Sequence, residues 1–324
     1  MTAPADGLIL VDKPEGLTSA AVVSRLRRYL KMRRVGHTGT LDPFATGVLP
    51  ICFGRATGAA GYLLGWDKSY RAEILLGQST DTMDSEGEIL EEAPRKDLVS
   101  FFEFERIQPL VSGLTSETRQ RAPLYSAVKI DGKPLYKYAR QGQEVDRPVR
   151  DIRVYRSKLI SVTAPGDGCP RLTVEMTVSS GTYIRSLADL LGRKLGVFAH
   201  ATALRRLSVG RFDLERAVPL DQLEALFTAC GEDGDRFRQA IQERGWILPV
   251  GSVFLDWPRM DLKAGEALDL TYGRTIASVL SDTSEAAFFY RDQLVAVGTV
   301  TAGQARVKRV FLTPDEIEKK DQAR

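Results

Sequence analysis

Two periodicities carry most of the regular structure that the chain predicts. Leu172, Val174, Met176 and Val178 alternate with Thr173, Glu175 and Thr177, the period of a strand with one buried face. Tyr70, Ala72, Ile74 and Leu76 alternate with Arg71, Glu73 and Leu75 in the same way, placing Tyr70 at the start of a strand. Val22, Leu26 and Leu30 recur every fourth residue, widened by Val23 and Tyr29, and predict a helix capped by Thr18 or Ser19, with Gly36 as a stop signal just past its end. Ile184, Leu187, Leu191 and Leu195 form the apolar stripe of a second helix, which Thr182 would cap and Gly196 would end. Weaker patterns predict a short helix over 57–64, a loop over 77–88 and a helix over 97–110. They also predict a strand over 123–129 followed by a tight turn at 131–133, a short helix over 135–141 and a strand over 152–162. Arg205 and Arg206 fall in a short segment before a strand-like run from Ser208 to Leu214, and Asp221 reads as the cap of a helix through Phe227.

From Cys230 to Gly245 the pattern breaks into Gly, Asp, Glu and Arg with few apolar residues, which predicts a domain boundary between about Ala229 and Pro249. Beyond it, Val253–Leu255, Ala286–Tyr290, Leu294–Val300 and Arg306–Leu312 are short β-type runs punctuated by glycines, the pattern of a small β-rich domain. The division expected is 1–247 and 248–324, an α/β (α+β) domain followed by a smaller β domain.

Composition narrows the function classes. With 43% hydrophobic and 27% charged residues the chain reads as an ordinary globular protein, with no apolar run long enough to span a membrane. Residues 1–10 lack a basic segment followed by an apolar one, so no secretion signal is visible. Three scattered cysteines, Cys52, Cys169 and Cys230, fit reduced thiols and a cytoplasmic location rather than a disulfide scaffold. The net charge of +3 says little, but its distribution says more: six of the ten residues from Arg25 to Arg34 are Lys or Arg and none is acidic. From Arg119 to Lys158 eleven residues are basic against four acidic ones, the footprint of a polyanion-binding surface, although any one of these stretches alone reads equally as a solvated face.

The chemistry gathers at Gly36-His37-Thr38-Gly39-Thr40-Leu41-Asp42-Pro43-Phe44-Ala45-Thr46-Gly47-Val48-Leu49-Pro50. Three glycines and two prolines in this stretch predict a loop, and its apolar content predicts that the loop is packed. Its single acid, Asp42, is biased towards extended backbone by Pro43 and reads either as a turn cap or as a nucleophile or base with an open approach. Only His37 and His200 are available as imidazole ligands and no Cys or His pair has ligand spacing, so neither a metal nor another cofactor is expected. No phosphate loop, dinucleotide fingerprint or GxSxG elbow occurs.

That fifteen-residue string closely resembles the signature of the TruB family, the bacterial tRNA pseudouridine-55 synthases, and four further segments follow in the family's order. They are Lys13-Pro14-Glu15-Gly16-Leu17-Thr18-Ser19, Asp67-Lys68-Ser69-Tyr70, Ser180-Gly181-Thr182-Tyr183-Ile184-Arg185-Ser186-Leu187 and Leu204-Arg205-Arg206-Leu207, so that the likeness covers roughly residues 7 to 227. The resemblance implies Asp42 as catalytic nucleophile, Tyr70 as the base-stacking residue and candidate general base, and Arg185 as the partner that keeps Asp42 ionised. It further implies Leu204 as a wall of the uracil pocket, Lys13 as support for the site and His37 as a stacking residue within the T-loop. It implies a pseudouridine synthase domain with a mixed, mostly antiparallel sheet. Leu294–Val300 and Val307–Phe311 resemble the end of a PUA domain, a small RNA-binding β-barrel, while 231–244 resembles nothing in the family. The expected substrate is the T stem-loop of tRNA, the base being flipped out of its stack, with no membrane and no protein partner required and a monomeric enzyme. A rival reading is an RNA-folding chaperone in which turnover is dispensable.

Overall fold

The computed structural model describes residues 5–98, 101, 103–163 and 168–322. Its frame is a nine-stranded sheet. Along it lie, in spatial order, Val154–Thr163, Arg171–Val178, Lys68–Leu76, Ala199–Val209, Thr46–Phe53, Gly7–Lys13 and Val218–Pro219, with Val35–His37 and Phe212–Asp213 alongside. Most neighbours run antiparallel, but Arg205 pairs Thr46 and Val11 pairs Val218 in parallel register, so the sheet is mixed and mostly antiparallel. The alternation read at 172–178 is real, since Leu172, Val174, Met176 and Val178 are all buried.

The N-terminal strand Gly7–Lys13 carries a Leu8-Ile9-Leu10-Val11 run with no alternation. Both its faces are covered: Ile9 and Val11 join the main core, while Leu8 and Leu10 join a second cluster beneath the C-terminal domain. The stretch 36–50 is only partly the predicted loop, because Val35–His37 and Thr46–Phe53 are strands. Pro50 stands opposite Leu10, and its carbonyl accepts from Thr38 N at 3.2 Å just beyond the end of Val35–His37, so the missing N–H costs the pairing with the strand 7–13 nothing. Gly47 is required, since a Cβ there would stand 2.2 Å from the Arg206 carbonyl oxygen, and its φ is +104°.

Other predictions shift. The first helix is Ser19–Leu30, capped by the Thr18 side chain, and it ends at Lys31 in left-handed conformation rather than near Gly36. The 182–196 helix spans Ile184–Leu195; Tyr183, not Thr182, is its N-cap, and Gln120 satisfies the Tyr183 backbone by accepting from its N at 2.8 Å and donating to its O at 3.0 Å. Arg205 and Arg206 sit inside the strand Ala199–Val209, not before it. Residues 123–128 form no strand: the Tyr125 carbonyl accepts from Arg185, and those of Ser126 and Val128 accept from Tyr136 N and Leu135 N. The helix expected over 97–110 is a turn at Arg95–Leu98 and a helix at Phe104–Gly113; residues 99, 100 and 102 of that segment lie outside the described residues. The polar break at 230–245 contains the helix Gly234–Glu243, capped by Asp233, whose Phe237 and Ile241 enter the main core beside Tyr29 and Phe227. Two apolar residues one turn apart were enough to anchor it, and too few to show a period.

Core membership changes between Ile247 and Leu248. After a short helical turn at Val250–Phe254 comes a five-stranded sheet in the order Arg259–Asp261, Thr283–Tyr290, Gln293–Thr301, Gln304–Val310 and Ile276–Ala277. Phe254, Phe289 and Phe311 press it against the back of the main sheet through Leu8, Leu10 and Cys52. The two units are therefore held by apolar contact, with an ionic fastening added where Arg55 meets Asp6 and Glu316.

Candidate active site

The loop bearing Asp42 is bracketed by the turn that precedes the first helix. Lys13, wholly buried, donates from Nζ to the carbonyls of Pro14 (2.8 Å), Leu17 (2.6 Å) and Pro43 (3.1 Å). Gly16 N donates to Pro43 O at 2.9 Å, and Ser19 Oγ both donates to Leu41 O and accepts from Leu41 N. Both flanks of Asp42 are thus pinned by the Lys13–Ser19 segment. Arg206, equally buried, pins the far side, donating from Nε to Val48 O at 2.7 Å and from Nη2 to Gly39 O at 3.2 Å. A loop whose backbone polar groups are satisfied by buried cations is rigid despite its glycines.

Arg185 enters from the first turn of the helix Ile184–Leu195. Its side chain is 3% exposed, with Nε 2.9 Å from Asp42 Oδ2 and Nη1 3.1 Å from Asp84 Oδ2. Nη1 also donates to Thr82 O (2.7 Å) and Nη2 to Tyr125 O (3.0 Å). Asp84 is almost wholly buried, whereas the Asp42 side chain keeps 32% exposure. One guanidinium therefore spans two carboxylates, and only Asp42 opens onto a cavity. Burial pushes the Asp42 carboxyl above the usual carboxylate range; Arg185 pulls against this and Asp84 adds to it. A raised carboxylate is a stronger base and nucleophile than a free one.

The cavity, about 230 Å³, is lined by Asp42, Arg185, Tyr70, Lys68 and Leu204 among others. Tyr70 and Leu204 project from neighbouring antiparallel strands in which Leu204 stands opposite Ala72. Asp42, Arg185, Tyr70 and Leu204 are thus brought together. Lys13 lies behind the Asp42 loop, and burial lowers its ammonium to about 8. His37 is outside the lining: its Nδ1 accepts from Gly39 N at 3.3 Å, and burial, seconded by Arg206, holds its imidazole below its ordinary value. Sequence reasoning passed over Asp84, Lys68, Arg206 and Ser126. Ser126 is a buried member of the cavity lining, with its hydroxyl beside Tyr183. Position was the available signal for Lys68, two residues before Tyr70 and so on the same face of its strand. Among the described residues no His/Cys/Asp/Glu cluster is suited to a metal ion, and no described helix is long and apolar enough to cross a membrane.

Solved structures share this architecture. The chain is similar to a protein in the crystal structure of a Cbf5-Nop10-Gar1 complex, with a TM-score of 0.70, 27% identity, and coverage of 96% of this chain and 86% of the other. It is similar likewise to one in an H/ACA RNP bound to a substrate RNA containing 2′-deoxyuridine, with a TM-score of 0.68, 26% identity, and coverage of 95% and 86%. This is the pseudouridine synthase fold, built around a mixed sheet with a smaller β domain behind it. Residues 27–184 match the TruB family pseudouridylate synthase N-terminal domain, and 185–253 match the tRNA pseudouridylate synthase B C-terminal domain. Relatives called tRNA pseudouridine synthase B in Xylella fastidiosa (40% identical, 90% of each chain) and Azoarcus (37% identical, 95% of each chain) extend the match over nearly the full length. The chain belongs to the TruB family of pseudouridylate synthases.

Proposed function

We propose that this chain isomerises a uridine of tRNA, the T-loop uridine at position 55, to pseudouridine, with Asp42 as the nucleophile. The observation that carries the assignment is the Asp42–Arg185 contact of 2.9 Å at a cavity whose other walls are an aromatic ring and an aliphatic side chain. Breaking the C1′–N1 bond, turning the uracil and rejoining it through C5 calls for a flipped base held between Tyr70 and Leu204 and a carboxylate kept ionised by Arg185. His37 would stack in the loop the base has left. Exposed Arg33 and Arg34 on the basic stretch beside the motif supply phosphate contacts, so affinity weakens with salt. Residues 1–247 would form the catalytic domain and 248–324 a PUA-like RNA-binding domain. The relatives' name supports the tRNA substrate. The Cbf5 neighbour was solved with Nop10 and Gar1; we read this chain as a cytoplasmic monomer that needs neither a protein partner nor a cofactor.

The test is tritium release from [5-³H]uridine-labelled tRNA transcript, since forming the C5 glycosidic bond displaces the C5 hydrogen. Wild type is expected to release tritium without added metal or cofactor. Asp42→Asn is expected to release none while binding tRNA within about threefold, phosphate contacts lying elsewhere. Release at the wild-type rate by Asp42→Asn would overturn the nucleophile. Binding without release by either protein would favour the chaperone reading.

A further inference from the structure

Lys68 is a cation that the fold does not need to bury. Its residue is 7% exposed, and it shares a strand face with Tyr70. Its Nζ donates to Leu64 O at 2.8 Å and to Trp66 O at 2.5 Å. An ammonium has three donors, so one is left over, and the side chain lines the cavity. Among the described residues no carboxylate pairs with it. Asp67 acts on it only at longer range, and the neighbouring charge of greater influence is another cation, Arg206. Burial lowers this ammonium to about 8, which shows that its surroundings do not by themselves favour the charge. Buried charges are ordinarily paired; one lining a cavity unpaired points to an anionic or strongly polar ligand there.

We infer that Lys68 is a further catalytic residue: its remaining N–H holds a carbonyl oxygen of the uracil and offsets the negative charge that the ring gains when the glycosidic bond breaks. The inference rests on the isomerase reading above. As Asp42 adds to C1′, the C1′–N1 bond breaks and its electron pair passes to the ring, so the unit charge leaves the carboxylate and appears over N1, O2 and O4. C5 then bonds to C1′ and displaces the Asp42 carboxylate, the C5 proton is lost, and N1 gains a proton. A fixed cation beside the uracil favours the first step, because the charge moves towards a group already in place.

The alternative is that Lys68 only ties down the 64–66 turn, and two variants separate the roles. Lys68→Met removes charge and donors; Lys68→Gln removes the charge but keeps two N–H groups for the turn. Single-turnover tritium release is expected to fall about 10²–10³-fold in both, with transcript binding and thermal midpoint close to wild type for Lys68→Gln. On a 5-fluorouridine transcript the fluorine stabilises the departing uracil anion. There the loss, read as disappearance of the parent nucleoside after digestion, should shrink at least about tenfold. Near-wild-type release by Lys68→Gln, or equal losses on both transcripts, would overturn the inference. Either variant suffices for the comparison should the other fail to fold. If wild type released no tritium, or Asp42→Asn matched it, the isomerase reading itself would fall. If Asp42→Asn is inactive and Lys68→Gln is not, only the role of Lys68 falls.

Discussion

Arg185 and Arg55 each lie between two carboxylates, and the molecule does opposite things with them. In the cavity Arg185 lies between Asp42 and Asp84; at the seam between the two domains Arg55 lies between Asp6 and Glu316. At the seam the arginine is 25% exposed and meets each acid through two nitrogens or two oxygens, and Glu316 is held down to about 2, chiefly by Arg55. Water and bidentate geometry make ionisation easy there, so the triad acts as a fastening. In the cavity Arg185 is shared between two carboxylates and two carbonyls and faces Asp42 through Nε in an ion pair alone, while burial works against the charge. The same three groups thus yield a settled carboxylate in one place and a raised, half-open one in the other. Burial and the sharing of the guanidinium make the difference, not residue type.

The sharpest way to break this contrast is Arg185→Lys. Lysine keeps the charge but has no planar fork to span two carboxylates and two carbonyls at once. Single-turnover tritium release should fall about 10³-fold, the scale for losing a preorganised electrostatic partner. A loss below tenfold would mean that bare charge suffices and that the sharing is incidental.

Asp84→Asn probes the shared guanidinium from its buried side and should have a smaller effect. The plateau rate should drop about 10–10²-fold as Arg185 loses an anchor and Asp42 its alignment. The pH dependence carries the distinctive sign. Asp84 is among the groups that push Asp42 up, so removing its charge lets the Asp42 carboxyl fall, and the acidic limb of kcat/KM should move to lower pH. A lower plateau with an unmoved limb would show that Asp84 serves structure alone.

The contrast also explains what could be seen in the sequence. Asp42 was legible because it is the only acid in a loop crowded with Gly and Pro, and Arg185 because a recognisable motif carried it. Asp84 was not, since Thr80-Asp81-Thr82-Met83-Asp84-Ser85 has the composition of a solvated loop; what buries it is Arg185, a hundred residues away, and a bridge to Ala201. Lys68 was hidden for a related reason, because lysine in a strand is usually read as solvent-facing. Elements with one wet face showed themselves by period, as at 172–178, while Gly7–Lys13, dry on both faces, and Gly234–Glu243, anchored by two residues, had no period to show. Residues 123–128 suggested a strand, but Arg185 takes the Tyr125 carbonyl, and Tyr136 N and Leu135 N take those of Ser126 and Val128. Local pattern reports the local environment, and the site is assembled from distant ones.

The smallest effect belongs to the seam, and it tests whether that triad is only a fastening. Glu316→Gln leaves the shape but removes the charge. Glu316 and Arg55 are 37% and 25% exposed, so solvent screening limits the cost to about 1 kcal/mol or less. The folded-state value of Glu316 lies below its ordinary 4.5, at about 2, so its stabilisation is present above pH 4.5 and is lost as pH falls towards 2. The stability difference between wild type and Glu316→Gln, measured by urea unfolding, should therefore be constant near neutrality and shrink through that window. Turnover by the variant should match wild type, because the domains remain joined by Phe254, Phe289 and Phe311 against Leu8 and Leu10. A marked loss of tritium release at unchanged stability would mean instead that the seam sets the angle at which the C-terminal domain presents RNA, and that the two arginine triads are coupled parts of one binding surface.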